Sequence, residues 1–361
     1  MTDINKRIEQ LVRPEIRALK AYGVADPGDL IKLDAMENPY PWPEDLKRAW
    51  ADKLVQTDIN RYPDPSAQQL RPGLRREMAV PDEAEILLGN GSDEIIQMIM
   101  LAMARPGAVV MSPVPGFVMY DMTARFVGMK HVGVPLRADD FALDLPAMLA
   151  AIEQHDPAVI FLAYPNNPTG NLFAREQMEA IIRAANGLVV IDEAYYAFAS
   201  DSWMSRLAGY DNVVVMRTVS KLGLAGLRLG LLAGDGRWLQ EFDKVRMPYN
   251  VNSLTQTGAE FALDNARFLH EQTAAIVSER QRVFDALSHM PDIQAWPSEA
   301  NFILFRSCHA AGDAVHESLK QAGVLIKNLS HADPLLENCL RTTIGTPEEN
   351  DVFLKAMAEL S

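Results

Sequence analysis

The stretch Val213–Gly230, VVVMRTVSKLGLAGLRLG, decides how the rest of the chain is read. Three consecutive valines and Met216 read as a buried strand, because β-branched residues pack well on a pleated sheet. The chain then turns through Thr218, Val219 and Ser220 into Lys221, after which come three glycines, four leucines and one arginine, Arg228. An ammonium buried there without a partner would be destabilising by several kcal/mol. Three resolutions are open on this stretch alone. Lys221 carries its charge to solvent along its apolar stem, it pairs with a carboxylate, or its amine is masked as a Schiff base with a carbonyl cofactor.

Other strands point the same way. Ile86–Leu88 runs into Gly89-Asn90-Gly91, with Ser92 expected to cap a helix reaching Met103 and Asp93 in its first turn. A strand, a glycine turn and a helix N-terminus offer backbone N–H groups to a phosphate, although the same pattern serves an ordinary βα turn. Ala158–Ala163 is a continuous apolar run that ends in Tyr164-Pro165-Asn166-Asn167-Pro168, where a cis Asn167–Pro168 bond is expected. Leu188–Ile191 ends in Asp192-Glu193-Ala194-Tyr195. Acids at the end of a buried strand are poorly explained by folding alone, and in an open α/β sheet ligands bind at the carboxyl ends of the strands. Four such ends converge in chemistry, and a fifth strand, Ala108–Met111, leads to Phe117, a core residue or a stacking surface.

Composition bounds the answer. With 361 residues the chain is long enough for a large core and two domains, and a net charge of −14 argues against nucleic acid or an anionic membrane as partner. Two cysteines, Cys308 and Cys339, make no disulfide framework or metal pattern and suit a reducing cytoplasm. The N-terminal residues are charged throughout, and no apolar run is long enough to span a bilayer. Helices are expected at 44–55, 144–152, 175–185 and 237–247, with Pro248 ending the last. Val251–His289 reads as long helix in one or two pieces, bending near Asp264. Strands at 302–305, 324–327 and 340–344 then alternate with helices, which predicts a second, smaller α+β unit. The expected division is 1–43 as an arm and part of the small domain, 44–247 as the large domain, and 248–361 as the rest of the small domain.

In chain order the sequence carries GNGSDE (89–94), SPVPGFVMY (112–120), NNPTG (166–170), DEAY (192–195), SKLGLAGLRLG (220–230) and LRTTIGT (340–346). Together these resemble the class I and II aminotransferases of pyridoxal-phosphate fold type I. More narrowly, RPEIRALKAYG (13–23), LDAMENPY (33–40), NRYPD (60–64) and SEANFILFR (298–306) resemble the histidinol-phosphate aminotransferases. The resemblance implies an α/β fold: a seven-stranded, mostly parallel sheet between helices, plus a smaller α+β domain from the N- and C-terminal segments.

It further implies that Lys221 binds pyridoxal 5'-phosphate as a Schiff base and later shuttles a proton. Asp192 keeps the ring nitrogen charged, Tyr195 and Asn167 hydrogen-bond the phenolic oxygen, and Phe117 stacks on the ring. Glu193 points to the opposite face and is no candidate. The phosphate is expected on the N–H groups of Ser92 and Asp93, with Ser220 and Arg228. Tyr62 resembles the tyrosine that reaches the phosphate from a neighbouring subunit, which implies a homodimer. Arg341 resembles the arginine that binds a dicarboxylate, with Asn167 beside the substrate. Lys327 is a second substrate cation or a solvated strand-end charge.

The implied reaction is reversible amino transfer between L-histidinol phosphate and 2-oxoglutarate, giving imidazole-acetol phosphate and L-glutamate in L-histidine biosynthesis. An aromatic amino acid aminotransferase and a threonine-phosphate decarboxylase-like enzyme are the alternatives. Two departures stand out. Six residues separate Lys221 from Arg228, one fewer than in many relatives. The N-terminal tyrosine often offered to the substrate phosphate is replaced by Arg13-Pro14-Glu15, leaving Tyr22 nearby.

Overall fold

The computed structural model describes residues 3–21, 23 and 25–360. Tyr22 lies outside the described residues. The strands are β1 (Ile31–Leu33), β2 (Glu85–Gly89), β3 (Val109–Val114), β4 (Lys130–Pro135), β5 (Val159–Ala163), β6 (Leu188–Asp192), β7 (Val213–Thr218), β8 (Gly230–Gly234), β9 (Ile293–Ala295), β10 (Phe302–Ser307), β11 (Val324–Asn328) and β12 (Cys339–Thr343). Seven of them form one sheet in the order β2-β8-β7-β6-β5-β3-β4. Only β8 runs against its neighbours; every other pairing is parallel. Because helices cover both faces, β5, β6 and β7 are buried at every position, which is why β5 and the first four residues of β6 and of β7 read as apolar runs.

A second sheet, ordered β1-β11-β12-β10-β9, draws its first strand from the N-terminal segment and the rest from the C-terminal third. β1 lies parallel to β11 with Leu33 opposite Ile326. Apolar clusters fill both faces of the large sheet, and a third cluster with Phe302, Phe305 and Phe353 supports the small one.

Several boundaries differ from expectation. The helix ends at Met103 as expected but begins one residue early, at Ser92, because its N-cap is Gly91 rather than Ser92. Gly91 holds φ 84°, a left-handed value open to glycine, so Ser92 becomes the first helical residue. The strand expected to stop at Met111 continues to Val114, and the helix from Gly236 stops at Asp243 instead of Met247. The bend near Asp264 is a break between helices Ser253–Asp264 and Arg267–Ser288. The Asn167–Pro168 bond is cis, as are Val114–Pro115 and Tyr164–Pro165.

Candidate active site

The carboxyl ends of β2, β5, β6 and β7 open onto one cavity of about 210 Å³. Its wall holds Lys221, Asp192, Asn167, Tyr195 and Phe117, and at one end Ser92, Asp93, Ser220 and Arg228. Arg341 and Lys327 lie instead on a neighbouring chamber of about 470 Å³ that shares Met36, Phe117 and Asn167 with the first. These two cations are cross-strand partners on β11 and β12. Tyr62 lines neither space. It is 80% exposed, its ring stacked on Tyr249 at 4.4 Å between centroids.

Lys221 leaves the sheet in a wide helical turn, Ser220–Leu224, whose Gly223 has φ 119°. Its Nζ donates to the Ala35 carbonyl at 3.3 Å and lies 5.9 Å from the Tyr195 ring centre. Burial pulls its pKa down to about 8, with the Arg341 cation adding to the effect and Glu37 and Asp93 opposing it. Such a lysine has more free amine at neutral pH than one in solution.

Asp192 ends β6 and is buried. It accepts hydrogen bonds from Tyr120 Oη at 2.7 Å and from the Ala194 N–H at 3.1 Å. Burial still pushes its carboxyl up to about 6, and those two hydrogen bonds oppose the rise. Glu193, one residue on, faces the other side. There it forms a buried ion pair with Arg217, with 2.6 Å between Oε2 and Nη2, and accepts the Trp203 N–H. Period-two alternation along the strand therefore separates the two acids.

Asn167 joins the two chambers. Its Nδ2 donates to Tyr195 Oη at 3.2 Å, and its Oδ1 accepts from Arg341 Nη1. Arg341 also donates to the Asp34 carbonyl at 3.1 Å and lies over Phe302.

At the other end Glu94 accepts the Asn90 N–H at 2.6 Å, and the Gly91 N–H turns back to Gly89. The N–H groups of a helix's first turn have no intrahelical acceptor, so those of Ser92 and Asp93 are available to an anion. A Cβ on Gly91 would come within 2.6 Å of Arg228 Nη2, and one on Gly230 within 2.9 Å of Ser92 N. Those glycines leave the room that the guanidinium and the turn occupy. Arg228 has φ 49° and contacts Asp93 at 3.4 Å, so the six-residue spacing from Lys221 still returns its side chain to this end of the cavity. Arg13 donates to the Phe126 carbonyl.

Two contributors escaped the sequence reading. Tyr120 sits in the quoted SPVPGFVMY motif, three residues past Phe117 where a helix begins, and that spacing was the available signal. The strip Ala35–Glu37 roofs the cavity, tied down by Met36 N–H to Thr343 at 2.9 Å and by Asn301 to the Met36 carbonyl at 3.0 Å. Alanine and methionine carry no chemistry that would have marked it.

The cavity fits a flat heteroaromatic phosphate. It offers a reactive amine, a buried acid with no counter-charge from its own hydrogen-bond donors, an aromatic wall, and N–H groups with a guanidinium at one end. Among the described residues, no helix is long and apolar enough to cross a membrane.

The profile of the family described as aminotransferase class I and II matches residues 28–357. Histidinol-phosphate aminotransferase 2 of Nitrosococcus oceani is 54% identical over 97% of this chain and 97% of its own length. A protein of the same name from Cupriavidus pinatubonensis is 56% identical over 97% of this chain and 96% of its own. Among solved structures, histidinol-phosphate aminotransferase from Sinorhizobium meliloti, in complex with pyridoxal-5'-phosphate, superposes with a TM-score of 0.84. That match covers 98% of this chain and 99% of the other at 24% identity, a likeness of fold.

Proposed function

The chain belongs to the class I and II aminotransferases, and we propose on that premise that it exchanges the amino group of L-histidinol phosphate with 2-oxoglutarate. The products are imidazole-acetol phosphate and L-glutamate, and the reaction serves L-histidine biosynthesis. One observation carries the reading: Lys221 and Asp192 line a single cavity, and Asn167 links that cavity to a second one holding Arg341 and Lys327. The first suits pyridoxal 5'-phosphate, the second an anionic substrate.

When bound, the cofactor supplies an electron-withdrawing ring that stabilises negative charge at the substrate Cα. Lys221 anchors it. As a free amine, the Lys221 Nζ would take a proton from the substrate Cα and give it back, and a pKa near 8 suits both halves of that task. Asp192 would hold a proton on the ring nitrogen, and that cation would compensate the carboxylate's buried charge. Tyr195 and Asn167 would donate to the ring oxygen, and Phe117 would supply an aromatic wall. Ser92, Asp93, Ser220 and Arg228 hold the phosphate.

Arg341 takes the carboxylate of glutamate or the phosphate of histidinol phosphate, with Lys327 as a second cation and Asn167 as a polar wall. One site thereby serves two substrates that share an anionic end. Exposed Val55, Ile59, Tyr62, Met247, Tyr249 and Leu254 lie on two adjacent segments joined by the Tyr62–Tyr249 stack and a 3.2 Å Thr57–Thr257 contact. We assign that surface to a homodimer in which Tyr62 reaches the phosphate of the neighbouring subunit. Cys308 and Cys339 are both unbonded, in keeping with a cytoplasmic enzyme.

A spectral titration of the holoenzyme tests the assignment. L-Histidinol phosphate should convert the cofactor to its amine form at low concentration, and phenylalanine only at far higher concentration. Preference for phenylalanine would make this an aromatic amino acid aminotransferase, and failure of glutamate to convert the cofactor would point to a decarboxylase.

A further inference from the structure

The substrate chamber carries a polar cluster that none of the steps above uses. Ser112 on β3 and His131 on β4 come from neighbouring parallel strands, and Ser112 Oγ lies 2.9 Å from His131 Nε2. The other ring nitrogen, Nδ1, faces Asp121 Oδ1 at 3.7 Å. Arg125 holds the Asp121 carboxylate from the solvent side at 2.8 Å. Ser112 is buried and the His131 side chain is 12% exposed. All three residues line the same chamber as Arg341 and Lys327. The chamber therefore combines two cations with a carboxylate and an imidazole that no substrate anion would need.

We propose that Asp121 and His131, with His131 positioned by Ser112, form the surface that reads the nitrogen heterocycle of the substrate. The ring N–H donates to Asp121, while Arg341 and Lys327 take the phosphate. This rests on the histidinol-phosphate reading of the site.

The chemistry is specific. A carboxylate forked by one arginine keeps lone pairs for another donor. Ser112 Oγ, 2.9 Å from Nε2, fixes the orientation of the His131 ring and turns Nδ1 towards Asp121. At 3.7 Å that contact is too long for a direct hydrogen bond, which leaves both groups open to a third partner. A substrate ring N–H satisfies the carboxylate, with the His131 ring beside it. A phenyl ring in the same place strips them of water and returns no hydrogen bond, and sites built on hydrogen bonding reject such analogues strongly. The competing explanation is that the cluster only ties down β4, the edge strand of the sheet.

Half-reaction kinetics and spectral titration of holoenzymes decide between them, with L-histidinol phosphate, L-phenylalanine and L-glutamate as probes. In Asp121→Ala, kcat/KM for histidinol phosphate should fall by roughly tenfold to a hundredfold more than that for glutamate, chiefly through KM. The preference over phenylalanine should narrow by a similar factor. Ser112→Ala is a milder change that keeps the strand intact. It should raise KM for histidinol phosphate with kcat retained. An equal loss on all three substrates, or a fall in melting temperature with the ratios unchanged, overturns the proposal and leaves the transamination reading standing. A wild-type enzyme that prefers phenylalanine overturns both.

Discussion

Asp192 and Lys221 are displaced from their solution behaviour in opposite directions, and both shifts oppose folding at neutral pH. Asp192 rises from 3.8 to about 6, chiefly through burial. A group that binds its proton more tightly when folded lowers stability as pH climbs from about 4 to 6, and above that range the full penalty, roughly 3 kcal/mol, is present. Lys221 falls from 10.5 to about 8, so its penalty is complete below pH 8 and lifts as pH rises towards 10.5. We therefore expect Asp192→Asn to raise the melting temperature of the cofactor-free protein at pH 7 and to cut transamination by roughly a hundredfold or more. Calorimetry and turnover measured on the same preparation check both signs. Tyr120→Phe removes one of the two hydrogen bonds to Asp192. It should raise the carboxyl pKa further and weaken cofactor binding by roughly tenfold to a hundredfold, read by titration of the cofactor-free protein. An unchanged dissociation constant would show that Tyr120 only fills space.

At the level of elements, the phosphate end is shaped by backbone more than by side chains. β8 brings Gly230 against the turn that precedes helix 92–103, where a methyl group would meet Ser92 N at 2.9 Å. Gly230→Ala should displace that N–H and loosen cofactor binding by roughly tenfold while the far-UV spectrum is retained. The same region shows what the sequence could and could not disclose. Asp192 and Lys221 were legible because a charged group at the end of an apolar strand conflicts with burial, and the conflict itself marks a site. Most strands and helices followed from their periodicity. β8 went unread because its glycines and leucines, GLLAG, have little strand character apart from their neighbours. Gly91 took the cap position expected of Ser92 because the turn needs a left-handed residue, a tertiary requirement that capping preference does not encode. Tyr120 stands three residues from Phe117, but that spacing does not name the carboxylate it serves, which lies 72 residues away.

For the whole molecule, the exposed apolar surface around Ile59 and Met247 has a direct consequence. Both side chains are more than half exposed, at 77% and 68%, and sit on the segments that carry Tyr62 and Tyr249. On the homodimer proposed above, Ile59→Asp with Met247→Asp should shift the protein from dimer to monomer in sedimentation velocity and lower its affinity for the cofactor, since Tyr62 would no longer reach the neighbouring site. A monomeric wild type that binds the cofactor tightly would refute that assembly.

The pairing of β1 with β11 joins residue 31 to residue 324. β1 must therefore wait until everything between Leu33 and Val324 has been made before its neighbour exists, and Arg341 arrives later still. A chain cut short before β11 leaves β1 without its partner and the second chamber without Lys327 and Arg341.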